Sequence, residues 1–520
     1  MMKKILLAAF VLVVMPAAAQ DTYESARLLG SDLNGTARYV GMGGAMDALG
    51  ADLSTIGTNP AGIGLFRHST ASLSFGFVSQ QDAQKFDGLG KTNMSFDQAG
   101  FVYSGRISSS SFVNIGFNYH KSRNFDQILS AANALRGCSQ NGLTYYKAEK
   151  GIYELDFNNQ GEVIGYEGKN RSWSYSEADY MNANVLLLDP NDEMFYAMDA
   201  SAYSFDKAHR GWISDYDFNV SGNVNDRFYW GLTIGIKDVE YKGYSEYTES
   251  LVDSKGSCGA VAVGDERKIK GSGIDIKAGI IFRPVEGSPF RLGLSVSTPT
   301  WYDLTSSNDS YMVNNSDYGA WDEGKSHESY DFKYYTPWKF GVSMGHTIGS
   351  QIALGLGYEY MDYSDSKNRV NEDSRWYDWY DDYYTRSYTD RPMKDNSNRS
   401  LTGQHTIKAG IEFKPVPELA VRFGYNYLSS PYEERGVRDM TLDSPGVSYA
   451  STTDYVNWKD THRITCGLGV KAGGLNIDLA YQYNTTDGDF HPFQPYSGDS
   501  GVKEVSNKRH QVLLTLGYTF

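Results

Sequence analysis

Few residue patterns in this sequence could carry out catalysis. The tetrapeptide Gly498-Asp499-Ser500-Gly501 is similar to the motif around a serine-protease nucleophile. It falls in a predicted surface loop with nothing to place a His and an Asp beside it, so we interpret it as a chance match. The sequence has no His-Glu-x-x-His or Cys-x-x-Cys motif, and its nine histidines are scattered. These patterns support neither a structural metal nor a haem, and we predict a protein that is not an enzyme and has no cofactor.

A set of charged residues that alternate with apolar ones is more informative. Its members are Lys237, Lys277, Arg291, Lys339, Lys408, Arg422 and Arg463, together with Asp217, Asp275, Glu359, Glu412 and Asp478. Our first interpretation is an internal salt-bridge network that fills a polar interior. The second is that a cation binds the carboxylate of an amphiphilic ligand whose tail lies among apolar side chains. Lys277, Arg291 and Lys339 are the candidates for that role.

Period-two alternation identifies the elements that position these charges. Apolar and polar side chains alternate through residues 352–360, 419–427 and 475–484, which is typical of β-strands. One face of each strand suits lipid and the other suits water. The segments approach the roughly 9–11 residues that a tilted membrane strand requires, whereas strands of soluble sandwiches are usually shorter. We therefore predict an all-β transmembrane antiparallel β-barrel.

The connections between these strands are alternately short and long. The short turns are 106–110, 223–226, 284–289, 347–351, 414–418 and 471–474. The long polar segments are 79–92, 123–211, 241–269, 305–330, 364–399, 429–460 and 485–507. Short periplasmic turns and long extracellular loops are the expected asymmetry of a bacterial outer-membrane barrel, and the count predicts about 14 strands with both chain ends on the periplasmic side.

The composition is consistent with such a barrel. Aromatic residues make up 14% of the chain, with 40 Tyr and 9 Trp, and there are 54 Gly. This fits aromatic girdles at the two membrane interfaces and closely packed strands. The net charge is -15, with acidic residues gathered in the polar segments, which argues against nucleic acid as a partner.

Both chain ends carry features of an exported barrel. Residues 1–19 combine a basic start, a short apolar run and three alanines, which predicts a signal peptide cleaved after Ala19. The apolar run is shorter than the roughly 20 residues of a spanning helix. The last strand ends at Phe520, and this terminal aromatic resembles the signal by which the barrel assembly machinery of the outer membrane recognises its precursors.

The long segment 123–211 contains apolar residues at helical spacing between 128 and 135. We expect an amphipathic helix on the barrel rim, and a capture groove for hydrophobic molecules is the alternative. The aromatic run 376–384 is expected to anchor at the membrane interface, with ligand stacking as the alternative. Cys138 and Cys258 both fall in predicted loops of an oxidising compartment and are candidates for a disulfide.

Residues 20–68 break the alternation and are rich in Gly and Ala. Small residues suit a segment that packs closely inside another structure, whereas Gly41-x-Gly43 lacks the preceding strand of a dinucleotide site. The order Ala37-Arg38-Tyr39, then 47–52, then Asn59-Pro60-Ala61 resembles the FadL/TodX family of outer-membrane transporters for hydrophobic compounds, in the form common in Bacteroidetes-type bacteria. Segment 123–211 is large for that family.

The resemblance implies a barrel (69–520) with an N-terminal plug, or hatch (20–68), in which Arg38, Asn59, Pro60 and Ala61 take part. It implies passive transport of hydrophobic compounds such as long-chain fatty acids across the cell outer membrane of a Gram-negative bacterium. The expected partners are hydrophobic or amphiphilic small molecules, outer-membrane lipid and, during biogenesis, the barrel assembly machinery. The alternative is a structural or adhesive surface barrel whose long loops contact host or neighbouring cells.

Overall fold

The computed structural model describes residues 20–143, 153–157, 163–168, 187–189, 194–196, 198–317, 323–371, 387–448, 450 and 452–520. The predicted signal peptide (1–19) and the aromatic run 376–384 lie outside the described residues, as does most of 144–197. Within the described part of the chain, no helix has the length and apolar character needed to cross a membrane.

The main structure is one closed antiparallel sheet. In chain order the strands are β1 (Thr70–Gln80), β2 (Thr92–Arg106), β3 (Phe112–Asn124), β4 (Gln127–Cys138), β5 (Tyr153–Phe157), β6 (Val163–Gly168), β7 (Leu187–Asp189), β8 (Met194–Tyr196), β9 (Asp199–Val224), β10 (Phe228–Asp253), β11 (Gly256–Phe282), β12 (Arg291–Ser297), β13 (Trp301–Ser316), β14 (Glu323–Tyr335), β15 (Lys339–Ile348), β16 (Ile352–Asp362), β17 (Lys367–Asn371), β18 (Ser387–Thr389), β19 (Gly403–Val416), β20 (Leu419–Leu428), β21 (Tyr455–Ala472), β22 (Leu475–His491) and β23 (Lys503–Thr519). The two pairs β5–β6 and β7–β8 form separate small sheets.

The sheet closes because its first strand pairs with its last. Thr70 lies opposite Thr519, and the β1–β23 register runs without a shift to Gln80 and Arg509. Several barrel strands consist of two consecutive segments: β3 and β4 both lie along β9, β12 and β13 both lie along β11, and β14 and β15 cover the other side of that pair. Counted this way the barrel has 14 strands, which confirms the predicted number.

The outer face of the wall shows why the chain forms a membrane barrel. In β10 the outward side chains are apolar and exposed from Phe228 to Ile236, while Tyr229 and Thr233 between them are buried inside. Beyond Ile236 the outward positions become polar, beginning with Asp238. A band of outward apolar side chains on a closed sheet is the lipid-facing surface of a transmembrane barrel of the outer-membrane type.

Above this band the strands continue far beyond the membrane. Residues 241–269, predicted to be a loop, instead form the upper part of the β10–β11 hairpin, and 305–330 belongs largely to β13 and β14. Their inward side chains join a buried apolar cluster that includes Phe205, Leu251 and Phe490. The loop prediction was wrong here because polar outward positions mask the alternation when they face water and not lipid.

The helix predicted after Arg123 is also wrong, and the disulfide left open there is not formed. Residues 127–138 form the strand β4, not a helix, because Ile128 and Leu129 pack against the extended β9. Cys138 and Cys258 are both free, and β9 and β10 separate their strands. Three strand spacings amount to roughly 14 Å, well beyond the Cα separation of up to about 7 Å that a disulfide allows.

The helices of the described residues lie in the N-terminal segment and in the outer loops. The N-terminal segment contains α1 (Thr22–Leu29), α2 (Ala37–Gly41) and two 3₁₀ helices (Leu53–Gly57 and Pro60–Leu65). The outer connections contain the 3₁₀ helix Tyr363–Asp365, α3 (Arg391–Ser400) and α4 (Pro445–Ser448). α1 packs on α3, while α2 packs on β20 to β23, so residues 20–68 run down the barrel interior.

Glycines in the wall allow this close approach. A Cβ on Gly355 would lie 1.8 Å from the Ala45 carbonyl oxygen, and one on Gly424 would lie 2.1 Å from the Gly43 nitrogen. Gly43 itself has a φ of 62°, a conformation that side chains disfavour. The backbone of the N-terminal segment is therefore in direct contact with the backbone of the wall.

Candidate ligand-binding lumen

The inward charges of the wall hold the N-terminal segment in place. Arg38 Nε lies 3.0 Å from Glu412 Oε2 on β19, and Arg422 Nε lies 2.7 Å from the same oxygen. Lys408 Nζ lies 3.1 Å from Asp47 Oδ2 in the segment and 2.7 Å from Glu359 Oε1 in the wall. These pairs form the internal salt-bridge network expected from the alternation of charged and apolar residues.

A second group of charges lies on the opposite wall. Lys277 Nζ is 2.7 Å from Asp217 Oδ1 and 3.3 Å from Asp275 Oδ1, and Lys237 pairs with Asp215. Near it, His120, Asp215 and Asp217 have ligand atoms within 4.8 Å of one another, as a metal site would need. Both carboxylates are already neutralised by lysines, so we interpret this group as part of the salt-bridge network.

The Asn59-Pro60-Ala61 turn anchors the base of the N-terminal segment. The Asn59 side chain caps the 3₁₀ helix that begins at Pro60 by accepting a hydrogen bond from Ala61 N at 3.2 Å. A Cβ on Gly231 would lie 2.3 Å from the Pro60 carbonyl carbon, so this turn touches the β10 backbone.

At the other chain end Phe520 is 73% exposed on the outer surface, and its role as an assembly signal stays a prediction.

Two of the cavities between the N-terminal segment and the wall lie next to each other. The middle cavity has a volume of about 160 Å³ and is lined by residues that include Leu28, Leu33, Lys277, Tyr302, Lys339 and Tyr363. The outer cavity has a volume of about 170 Å³ and is lined by residues that include Tyr23, Phe125, Tyr363, Tyr432, Tyr455 and Trp458. Both cavities are lined by Gly30-Ser31-Asp32, so they meet at this turn.

The closed sheet and its occupied interior can be compared with solved structures. A Pseudomonas aeruginosa FadL homologue superposes with a TM-score of 0.51 at 12% sequence identity, over 94% of this chain and 99% of that chain. The chain has the fold of this FadL homologue. The Ralstonia pickettii toluene transporter TbuX has a TM-score of 0.48 at 12% identity, over 94% and 99% of the two chains. No protein-family model and no curated protein matches the sequence.

The three ligand-binding cations predicted from the sequence do not form one site in this FadL-like barrel. Lys277 and Lys339 both line the middle cavity. Arg291 lies towards the opposite end of the lumen, where its Nη1 donates to the Leu49 carbonyl oxygen at 2.7 Å. Lys277 is neutralised by two carboxylates, which leaves Lys339 as the better of the three candidates for contact with a ligand.

The sequence analysis missed a group of arginines in the outer cavity. Arg123, Arg463 and Arg509 surround the turn that ends at Asp32. Arg463 was placed inward by its alternation but was not selected. Arg123 begins the segment 123–211, which was predicted to be a loop, and Arg509 lies just beyond the predicted loop 485–507. Burial alone would raise the pKa of Asp32. The attraction of Arg123, Arg509 and Arg463 outweighs burial, so the pKa of Asp32 lies below its usual value.

The outer end of the FadL-like lumen is closed by a buried ion-pair cluster around α1. Arg438, in the connection after β20, lies 2.8 Å from Asp21 and 3.7 Å from Glu24, and it is 1% exposed. Arg267 on β11 pairs with Glu24. Despite the cost of burial, Arg267 and Arg438 lower the pKa of Glu24 to about 2. We call these four residues the outer clamp, because they join α1 to the extracellular part of the barrel.

Proposed function

We propose that the protein is a passive channel of the Gram-negative outer membrane for hydrophobic and amphiphilic small molecules, long-chain fatty acids among them. The observation that carries this proposal is the pair of adjacent cavities inside a lipid-facing barrel. Their walls combine apolar and aromatic side chains with many polar and charged ones, a mixture that can hold both the tail and the head of an amphiphile. The FadL homologue with the same fold supports this function.

In this proposal residues 20–68 act as a plug. They contact the wall along the lumen through the Arg38–Glu412 and Asp47–Lys408 pairs and through the backbone contacts at the wall glycines. A ligand enters at the outer cavity, passes the Gly30–Asp32 turn to the middle cavity, and leaves when the plug shifts. The gradient of the ligand itself drives the transport.

The test is deletion of residues 26–58 in the full-length protein. An emptied barrel of this size conducts water, so the deletion should increase the swelling of liposomes in small polar solutes. It should also abolish specific uptake of oleate by cells. Lys255→Ala, at the exposed tip of the β10–β11 hairpin, is the matched control and should behave like the parent in both assays.

The contrary outcome favours the second candidate function. If the deletion protein assembles, swells liposomes no faster than the parent and leaves oleate uptake unchanged, the plugged-channel proposal fails. The structural or adhesive role of the surface-exposed hairpins then becomes the better proposal, and binding of the protein to cells would be the next measurement.

A further inference from the structure

Three arginines converge on the outer cavity from different parts of the chain. Arg123 ends β3, Arg463 lies on β21, and Arg509 lies on β23. They meet at the plug turn because Asp32 N donates to Ser122 O at 2.8 Å and Asn124 N donates to Asp32 Oδ2 at 2.8 Å. These two bonds fix the turn against β3, directly beside the three guanidinium groups.

The positive charge of this arginine cluster is only partly neutralised. Asp32 Oδ1 lies 3.6 Å from Arg123 Nη1 and 3.8 Å from Arg463 Nη2, which is too long for a hydrogen bond. Arg509 has no carboxylate within ion-pair distance in the described part of the chain, and its Nη1 donates to the Asn124 carbonyl oxygen at 3.4 Å. Asp126 interacts with Arg509 at a longer range, so three cations face two carboxylates.

The hydrogen-bonding capacity of the cluster is only partly used. Arg463 Nη2 donates to the Ser31 carbonyl oxygen at 3.2 Å, and its Nη1 donates to Asn426 Oδ1 at 3.4 Å. Among the described residues, the buried Nε atoms of Arg123 and Arg463 have no hydrogen-bond partner, and Arg463 is only 5% exposed. An unmet donor on a buried guanidinium is costly. In contrast, Lys408 and Arg422 elsewhere in the lumen each have two carboxylates within 3.1 Å. The arginine cluster is thus a buried group of cations that can still donate hydrogen bonds to an anion.

The surroundings of the cluster suit a molecule with an apolar tail. Aromatic and aliphatic side chains line the outer cavity around the guanidinium groups; they are Phe125, Leu129, Tyr363, Leu428, Tyr432, Tyr455 and Trp458. Leu28 and Leu29 line the middle cavity on the other side of the turn, among polar and charged side chains. A charged head at the arginines would therefore have apolar side chains within reach in both cavities.

We propose that Arg123, Arg463 and Arg509 bind a doubly charged headgroup of the phosphate-monoester type, carried by an amphiphile whose alkyl tail lies in the adjoining cavities. This rests on the proposed function and narrows its substrate class. Three guanidinium groups outnumber the two nearby carboxylates, Asp32 and Asp126, and a phosphate monoester offers them three strong acceptor oxygens, whereas a fatty-acid carboxylate offers two. Guanidinium groups also bind phosphate oxygens in pairs, with the charge-assisted geometry that lysine lacks.

The test is binding of octyl phosphate, octanoate, octanol and inorganic phosphate to the full-length protein in nanodiscs, measured by calorimetry at pH 8. At this pH a phosphate monoester is mostly dianionic. Octyl phosphate should bind at least tenfold more tightly than octanoate, and inorganic phosphate should bind weakly because it has no tail. Arg463→Met and Arg509→Met should each weaken octyl phosphate at least tenfold and octanol less than twofold, while Arg435→Met, an exposed residue, should change neither.

Each other result overturns a defined part of the reasoning. Equal binding of octyl phosphate and octanoate would refute the preference for a dianion. Inorganic phosphate binding as tightly as octyl phosphate would make the cluster a free-anion site and refute the amphiphile. If octanol binds as tightly as octyl phosphate and the arginine variants have no effect, the proposed site is refuted but the proposed channel is not. If none of the three octyl compounds binds, the result counts against the channel itself. Unchanged heat-modifiability of the variants shows that the barrel has folded.

Discussion

Removing Arg438 should release the N-terminal helix from the outer loops without unfolding the barrel. In Arg438→Met the Asp21 carboxylate loses the partner that lies 2.8 Å away, while remaining 2% exposed. Asp21 also caps α1 by accepting hydrogen bonds from Tyr23 N and Glu24 N, so the buried charge cannot move to water without fraying the helix. Breaking a buried ion pair by removal of one partner costs about 3–5 kcal/mol.

This free-energy cost shifts the equilibrium between the docked and the open state of α1. At about 1.4 kcal/mol for each factor of ten, 3–5 kcal/mol corresponds to an increase of about 100-fold to 4,000-fold in the open population of α1. Hydrogen exchange of the α1 amides, followed by mass spectrometry, reports this population directly when reclosing is fast. The strands carry their own hydrogen-bond ladders, so exchange in β20 and β21 should stay unchanged.

The exposed Arg435 provides the control, because it lies in the same connection as Arg438 and has no ion-pair partner among the described residues. Arg435→Met should exchange at the rate of the parent. The reasoning is refuted if α1 in Arg438→Met exchanges within about threefold of Arg435→Met, since the outer clamp would then contribute less than about 0.7 kcal/mol.

Three further predictions concern other parts of the chain. The folded pKa of Glu24 is about 2, below its ordinary value of 4.5. Its contribution to the protection of α1 against hydrogen exchange should therefore be complete above about pH 5 and should be lost as the pH falls towards 2. The difference in α1 exchange rate between Glu24→Gln and the parent should shrink over this range. Gly355→Val should place side-chain atoms on the Ala45 carbonyl oxygen and destabilise the packed N-terminal segment by about 1–3 kcal/mol. Gly90→Ala, with open space around it, should leave the segment unchanged. Protease cleavage of the segment measures the effect, and equal cleavage of the two variants would contradict the prediction. Removal of Phe520 should lower the amount of heat-modifiable barrel in the outer membrane, and normal levels of the truncated protein would count against an assembly role for this residue.

The barrel itself could be predicted from the sequence because its signal is local. Alternation along β16, β20 and β22 needs no knowledge of distant contacts, and the short turns between strands have a clear composition. The inward direction of Lys277, Lys408 and Arg422 follows from the same alternation. In each case one residue and its immediate neighbours decide the outcome, which a single sequence contains.

The site could not be predicted in the same way, because it depends on contacts between distant residues. Arg123, Arg463 and Arg509 come together only when the barrel closes through β1 and β23. Similarly, nothing near Lys277 in the sequence shows that Asp217 neutralises it, 60 residues away. The residues 128–135 also satisfy a helical spacing, and only their pairing with β9 selects the strand.

The change from apolar to polar outward residues within β10 sets the height of the molecule above the membrane. The lipid-facing part ends at Ile236, and about 17 residues remain before the tip at Asp253. At about 3.3 Å per residue and a tilt of about 40°, the hairpin rises on the order of 40 Å from the bilayer surface. An antibody or a protease arriving from the medium therefore meets the tip of this hairpin at that height before any lumen residue.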